Sequence, residues 1–167
     1  EAYDAYSRAG WSSAWHSASN YALAELDCRK GDFGRALDHL DQVLAADALD
    51  TKSLNLRAAV LRRLGRTAEA QKQAEANLAI DPLDFWAGNE LFLTDAAGSD
   101  AQSAKRAYDV LAERMRDQVE SYLELASNYT ASGMFDEAID VLSRRATGEK
   151  PETYPMLYYD LGYCAAR

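Results

Sequence analysis

The chain contains few side chains of the types that carry catalysis or bind metal ions. His16 and His39 are its only histidines, and neither has a second histidine, a cysteine or a carboxylate at helical ligand spacing. Asp38 and Asp41 lie near His39, a pattern typical of a solvated helix face. We therefore predict no metal site at either histidine.

Two carboxylate pairs could in principle supply an acid and a base, namely Asp136 with Glu137 and Glu25 with Asp27. On helices such pairs are more often partners of the helix dipole or surface charge. The sequence contains no nucleophile motif, no glycine-rich phosphate loop and no dinucleotide fingerprint. We predict that the chain is not an enzyme and has no cofactor.

The overall composition narrows the range of partners. The 167 residues carry a net charge of −9, and 48% of them are apolar, which is enough to bury the core of about one domain. An acidic chain is a poor match for phosphate backbones, so we expect no nucleic acid partner. No apolar run approaches the ~20 residues of a membrane span, so we expect no membrane partner.

A period of 34 residues organises the sequence. Residues 51–84, TKSLNLRAAVLRRLGRTAEAQKQAEANLAIDPLD, read as one helix–turn–helix unit. Gly31, Gly65 and Gly133 share the period, and Ser99 stands where a fourth glycine would fall. Alanines recur at the same interval, at Ala2, Ala36, Ala70, Ala104 and Ala138. A repeat this regular predicts a helical solenoid.

The period also predicts the organisation of the chain. Residues 1–16 read as the end of a preceding repeat and a linker, and residues 153–167 as the first helix of a truncated repeat. Whole repeats are predicted at 17–50, 51–84, 85–118 and 119–152. Asp32, Asp50 and Asp84 precede helices and are predicted N-caps. Larger side chains at Ala36, Ala70 and Ala138 would overpack the paired helices, so these alanines are predicted to be buried.

These features resemble the tetratricopeptide repeat family over essentially the whole chain. The resemblance rests on Leu23-Ala24, Gly31-Asp32-Phe33, Ala36 and Leu40, then on Ala58, Gly65, Ala70 and Asp81-Pro82, and then on Leu125-Ala126, Tyr129, Gly133-Met134-Phe135 and Ala138. It implies an all-α, right-handed superhelical solenoid of antiparallel helix pairs, with about four repeats and cut ends. Ser99, Phe92 and Glu149-Lys150-Pro151 depart from the family pattern, which affects the third repeat and the exit of the fourth.

A narrower resemblance extends to the C-terminal repeat region of large bacterial proteins. It rests on ALAELDCRKGDFGRALDHLDQVLAADALDTKSLNLRAAVLRRLGRT and LAIDPLDFWAGNELF. In those proteins a β-rich domain, similar to sugar-binding sandwich domains, precedes the repeats. This resemblance implies that the chain is a segment of a longer protein.

The family resemblance also implies a function. Such arrays bind a protein or peptide in a concave groove lined by the first helix of each repeat. By analogy, the candidate groove residues are Tyr21, Glu25, Lys52, Asn55, Arg62, Arg63, Trp86 and Asn89. An extended ligand with an acidic residue next to an apolar one would fit the basic second repeat. Alternatively, Glu25 and Glu90 already neutralise these arginines as surface ion pairs. The alternative is a structural arm that packs against a carbohydrate-related β-rich domain of the same longer chain.

Two further expectations concern the ends and the cellular compartment. Leu157, Tyr159 and Leu161 would lie bare if no helix covered them, which predicts self-association through exposed terminal repeats. Cys28 and Cys164 lie at opposite ends of the array, too far apart for a disulfide. Reduced structural thiols are typical of a cytoplasmic protein, which is the predicted location.

Overall fold

A computed structural model describes residues 1–98, 101–147 and 153–167, and in these ranges it contains ten α-helices and no strand. The helices are α1 (Ala2–Ala9), α2 (His16–Arg29), α3 (Phe33–Ala46), α4 (Thr51–Arg63), α5 (Thr67–Ile80), α6 (Phe85–Ala97), α7 (Ala101–Met115), α8 (Val119–Ala131), α9 (Phe135–Ala146) and α10 (Pro155–Ala165). A 3-10 turn, Ser13–Trp15, precedes α2. None of the described helices is both long and apolar enough to cross a bilayer.

Aspartate side chains begin three of the helices. The carboxylates of Asp32, Asp50 and Asp84 accept hydrogen bonds from backbone N–H groups in the first turn, at 3.2, 3.1 and 3.0 Å. Each cap satisfies an N–H that the helix itself leaves unpaired and contributes about 1 kcal/mol. The three predicted N-caps are confirmed.

Glycine in the left-handed conformation separates the helices of three hairpins. Gly31, Gly65 and Gly133 have φ angles of 76°, 74° and 72°. Because side chains with a Cβ are disfavoured in this region, the recurring glycine lets the chain reverse within a short turn. Ser99, which replaces the glycine in the third repeat, lies outside the described residues.

The interior of each hairpin contains small residues where the two helices approach each other. Ala36, Ala70 and Ala138 have no exposed surface, which confirms their predicted burial. Their partners on the preceding helices, Ala24 and Ala58, are also fully buried. The apolar core around them is continuous from α2 to α10.

The array changes direction between α7 and α8. Helix α3 packs on α4, α5 on α6 and α9 on α10, but α7 and α8 make no comparable contact. Arg116 and Asp117, which join them, have φ angles of 52° and 56°. Two consecutive non-glycine residues in this conformation redirect the chain at a cost of roughly 1–2 kcal/mol each.

The change of direction folds the α8–α9 hairpin onto the first repeats. The first helices of those repeats, α2, α4 and α6, form one face of the array, which we call the inner face. The Arg29 Nε donates a 2.6 Å hydrogen bond to the backbone oxygen of Ala131 at the end of α8. On α9, Glu137 lies 2.9 Å from Arg62 of α4. The chain therefore covers part of its own inner face.

The apolar side chains of helix α10 are less exposed to solvent than the sequence predicted. Leu157 is fully buried, because α10 packs against α9 and α8, and Leu161 is partly buried against the same core. The prediction of an uncovered Leu157 was therefore wrong. Tyr159 agrees with its prediction, since 68% of its surface is exposed.

Candidate functional site

The guanidinium of Arg62 is the centre of the inner face. Its Nε donates to Glu90 at 2.8 Å, and one terminal nitrogen donates to Glu137 at 2.9 Å. Arg63 donates to the same oxygen of Glu137 at 3.2 Å. The Glu90 side chain has no exposed surface and that of Glu137 only 6%. The α8–α9 hairpin is therefore held to α4 by buried charges.

Hydrogen bonds extend this arrangement through α6 and α8. The Tyr129 hydroxyl donates to Glu90 at 2.7 Å and accepts from the Asn89 amide at 2.8 Å. Arg144 donates to the amide oxygen of Asn89 at 2.7 Å. The ring of Trp86 meets the Tyr129 ring edge-on, with centroids 5.7 Å apart. The residues joined by these hydrogen bonds form what we call the buried network, which consists of Arg62, Arg63, Asn89, Glu90, Tyr129, Glu137 and Arg144.

Electrostatics keep the buried network charged. Burial alone would lower the pKa of Arg62, but the adjacent carboxylate of Glu90 outweighs burial and raises it above the ordinary value. Burial and Glu90 together raise the pKa of Tyr129 well above its usual range, so its hydroxyl keeps its proton. Removing one member of such a set leaves an uncompensated buried charge, which is strongly destabilising.

The predicted groove residues separate into three groups. Arg62, Arg63 and Asn89 belong to the buried network, so each of them already makes hydrogen bonds within the chain, although Arg63 remains partly exposed. The Arg62–Glu90 ion pair, expected on the surface, is buried because α8 and α9 cover it. The third charge that completes it, Glu137, had been interpreted as a partner of its own helix dipole.

A second group lines a cavity of about 270 Å³ beside α8. It consists of Lys52, Asn55 and Trp86, which face Glu124 and Asn128 across the cavity. The Lys52 side chain is exposed, whereas Trp86 is only 4% exposed.

Asn55 also has a structural role beside this cavity. Its amide donates to Asp84 at 2.5 Å and its oxygen accepts from Asn77 at 2.8 Å. These bonds join the starts of α4 and α6 to α5, which explains why a polar residue occupies the buried position of Asn77. The bonds hold Asn55 in one orientation at the wall of the cavity.

The third group, Tyr21 and Glu25, is half-buried on α2. Burial raises the pKa of Glu25, while the positive charges of Arg29 and Lys52 oppose that rise. Burial likewise raises the pKa of Tyr21 above its usual range, and the neighbouring Glu25 adds to the effect. Lys52 therefore lies within electrostatic reach of α2.

Sequence reasoning missed two members of the buried network as well as its geometry. Tyr129 resembled an ordinary repeat aromatic, and no motif singled out Arg144 on α9. Glu137 is separated from Arg62 by 75 residues. No period of 34 residues relates them, and the adjacent arginines gave only a weak signal, because Arg62-Arg63 and Arg144-Arg145 are two such pairs in this acidic chain.

The histidine expected on a solvated face is mostly enclosed instead. His39 contacts the Asn20 amide at 2.9 Å and the Tyr3 hydroxyl at 3.2 Å, while fully buried Asp27 lies 3.6 Å away. The interpretation of His39 as solvated was wrong, because α1 packs over it. Within the described ranges, no group of three His, Cys, Asp or Glu side chains is arranged to hold a metal ion.

Both cysteines are buried free thiols. Burial raises the pKa of Cys28 to about 12, and the nearby carboxylates of Asp27 and Glu25 add to the rise. A thiol that keeps its proton is a poor nucleophile. Cys28 therefore behaves as a small apolar residue of the core.

Comparison with solved structures shows the fold. No protein-family model and no curated protein matches the chain. A structure titled MamA protein is 18% identical, with a TM-score of 0.57 over 90% of this chain and 81% of that chain. MamA from Desulfovibrio magneticus RS-1 is 15% identical, with a TM-score of 0.58 over 90% of this chain and 84% of that chain. A tetratricopeptide repeat protein from Parabacteroides merdae is 21% identical, with a TM-score of 0.57 over 90% of this chain and 58% of that chain. The chain therefore has the helical-repeat fold of tetratricopeptide repeat proteins.

Proposed function

We propose that the chain is a non-catalytic scaffold that binds a protein or peptide partner on its inner face. The observation that carries the proposal is the cavity bounded by Lys52, Asn55 and Trp86, where the α8–α9 hairpin leaves the inner face open. The rest of that face already holds a pair of helices of its own chain through buried hydrogen bonds. The open part of the face combines polar and apolar side chains in the same way, which favours the binding of a second polypeptide there.

The walls of the cavity suit an extended peptide. The amide of Asn128 can pair with backbone groups, and Leu83 and Phe85, which also line the cavity, offer apolar surface. Lys52 supplies a positive charge at the rim. Extended segments are recognised by backbone hydrogen bonds together with pockets for alternate side chains.

A charge reversal at the cavity tests the proposal. The partner is captured on the immobilised chain, identified, and then titrated against Lys52→Glu. The matched control is Lys72→Glu, the same change at an exposed site of α5, away from this cavity. We expect Lys52→Glu to weaken binding roughly tenfold while Lys72→Glu has no effect. Equal affinities for both variants would contradict a partner site at the cavity.

A second candidate function is a structural arm that packs against a β-rich domain of a longer chain. It is favoured by Trp11 and Trp15, which are 89% and 62% exposed beside α2. Large apolar side chains exposed next to each other mark interaction surfaces. If this function is correct, Trp11→Ser and Trp15→Ser in the longer protein should increase hydrogen exchange at the start of α2. Lys52→Glu should then leave that exchange unchanged.

We also propose that the chain associates with itself through exposed side chains of α10. On α10, Met156 is 50% exposed and Tyr159 is 68% exposed. Sedimentation at increasing protein concentration should show a rising mean mass that Tyr159→Ser reduces. A constant monomer mass over the whole range would contradict it.

A further inference from the structure

A groove runs between α8 and α10 on the side facing α2. It combines two adjoining cavities, of about 380 and 400 Å³, which share Thr130, Ala131 and Tyr163. We call it the α8–α10 groove; the other residues used below are Tyr159, Asp160, Arg29 and Arg167. It is separate from the cavity at Lys52.

Two arginines face one end of this groove. The Nε of Arg29 is held by the backbone oxygen of Ala131 at 2.6 Å, which leaves its terminal amino groups available. Arg167 donates to the Tyr163 hydroxyl at 3.0 Å, and its guanidinium lies 4.7 Å from the centre of that ring. Both guanidiniums are therefore oriented by neighbours that leave some of their donors unused.

These arginines differ from those of the buried network. Arg62 and Arg63 are paired with Glu90 and Glu137, but neither Arg29 nor Arg167 lies within ion-pair distance of a carboxylate in the part of the chain that the structure describes. Glu25, one turn earlier on α2, interacts with Arg29 only through the longer-range field. Two arginines without an ion-pair partner among the described residues therefore concentrate positive charge beside one cavity, in a chain with a net charge of −9.

The remaining residues of the groove limit how many consecutive acidic residues a bound peptide can have. Asp160 lies on α10 and lines the cavity at the other end of the groove, away from Arg29 and Arg167. A continuous acidic run would place a carboxylate against Asp160. Between the two ends, Ala131 and the exposed rings of Tyr159 and Tyr163 offer apolar surface. The complementary ligand therefore has one negative charge followed by an apolar side chain.

We propose that the α8–α10 groove binds an extended peptide that places one Asp or Glu carboxylate between Arg29 and Arg167 and its apolar neighbour against the rings of Tyr159 and Tyr163. This proposal rests on the peptide-binding function proposed above, and it assigns a partner chemistry and a place. The two guanidiniums that line this end of the groove suit a carboxylate because each presents a planar fork of donors. Arginine and tyrosine are also the residue types that dominate binding energy at interfaces.

Selection from a library of random short peptides tests the proposal directly. The library is displayed on phage and selected on the wild-type chain, on Arg167→Glu and on Arg8→Glu. Arg8 is exposed on α1 and makes the same charge change outside the groove. We expect wild type and Arg8→Glu to enrich one acidic residue next to an apolar one, and Arg167→Glu to lose the acidic preference.

Solution affinities then quantify the effect. A selected peptide should bind roughly tenfold more weakly when its acidic residue becomes Asn or Gln, and no further weakening is expected when this peptide is tested on Arg167→Glu. Arg29→Lys serves as a second variant, with circular dichroism to confirm folding, because Arg29 also joins α2 to α8. Inorganic phosphate displacing the peptide at equal concentration would show a general anion site and overturn the proposal.

The outcomes separate this proposal from the broader one. Enriched peptides without an acidic preference, bound less well by Lys52→Glu, would overturn the acidic-peptide site and leave the scaffold function standing. Unchanged acidic enrichment on Arg167→Glu would overturn the site as well. No enrichment on wild type would overturn both.

Discussion

Two turns with the same backbone, at Gly65 and Gly133, have different surroundings. Their φ angles are 74° and 72°. A Cβ built on Gly65 would meet no atom within 4 Å, whereas one built on Gly133 would lie 2.9 Å from the Cα of Arg29. The same sequence motif therefore makes an exposed turn in the second repeat and a docked turn in the fourth.

The difference shows that one local conformation can serve two roles. At Gly65 the glycine is needed only for the backbone angle. At Gly133 it is needed also because α2 approaches the turn, and this approach accompanies the folding of α8 and α9 onto the inner face. Members of the buried network lie near both turns, with Arg62 and Arg63 before Gly65 and Tyr129 and Glu137 on either side of Gly133, but among the described residues only the turn at Gly133 contacts another helix.

The largest expected effect comes from breaking the buried network. Glu90→Gln keeps the shape of the side chain but leaves Arg62 with only Glu137 to balance its charge. We expect a loss of about 3–5 kcal/mol in the free energy of unfolding, measured by urea titration. Glu113→Gln, at an exposed site of α7, should change stability little. Equal effects of the two changes would mean that the network does not hold the docked hairpin.

Alanine at the two turns tests the comparison itself. Gly65→Ala should cost about 1–2 kcal/mol, because a side chain is disfavoured at positive φ. Gly133→Ala should cost about 1–3 kcal/mol more, since its Cβ must also displace α2. Thermal melts measure both costs, and small-angle scattering should show expansion only for Gly133→Ala. Matching costs would show that the fourth repeat does not dock at Arg29.

Overpacking of a hairpin interior should have a smaller effect that does not depend on docking. Ala70 is fully buried between α4 and α5, below the exposed turn. Ala70→Trp should destabilise by about 1–3 kcal/mol in a thermal melt. Ala68→Trp, two residues earlier and exposed, is the control and should melt as wild type does. An unchanged melt for Ala70→Trp would contradict the phase of the repeat.

The smallest effect concerns pH and the packing of α1. Burial lowers the pKa of His39 from 6.5, Asp27 opposes the shift and Arg35 adds to it. A histidine with a lowered pKa binds fewer protons folded than unfolded, so stability is retained above pH 6.5 and falls as the pH drops below it.

Replacing His39 isolates this dependence from other titrating groups. His39→Gln should flatten the fall in melting temperature between about pH 8 and pH 5, because glutamine does not titrate. Glu25 acts in the opposite direction, since its raised pKa favours the folded state at lower pH. Glu25→Gln is therefore the control for the acidic side of the curve. If the melting temperature of His39→Gln fell with pH as steeply as that of the wild type, another titrating group would be responsible for the pH dependence.

The sequence by itself determined the local architecture. The 34-residue period located the hairpins, and the aspartates and glycines marked where helices begin and reverse. Their physical causes act within a few residues: Asp50 pairs with an N–H three residues later, and Gly65 adopts its own left-handed angle. The alanines were predictable because a hairpin needs small residues wherever its two helices approach.

Only the tertiary structure decided which parts of the inner face remain open. The docking of α8 and α9 follows from the left-handed backbone at Arg116 and Asp117, where no glycine signals a reversal. It brings Glu137 to Arg62 across 75 residues of chain. Such a contact depends on the summed geometry of several helices and on a favourable pairing of buried charges, which no local pattern encodes. For that reason Arg62, Arg63 and Asn89 could be named as candidate groove residues from the sequence, but their hydrogen bonds to other side chains of the same chain could not be predicted from it.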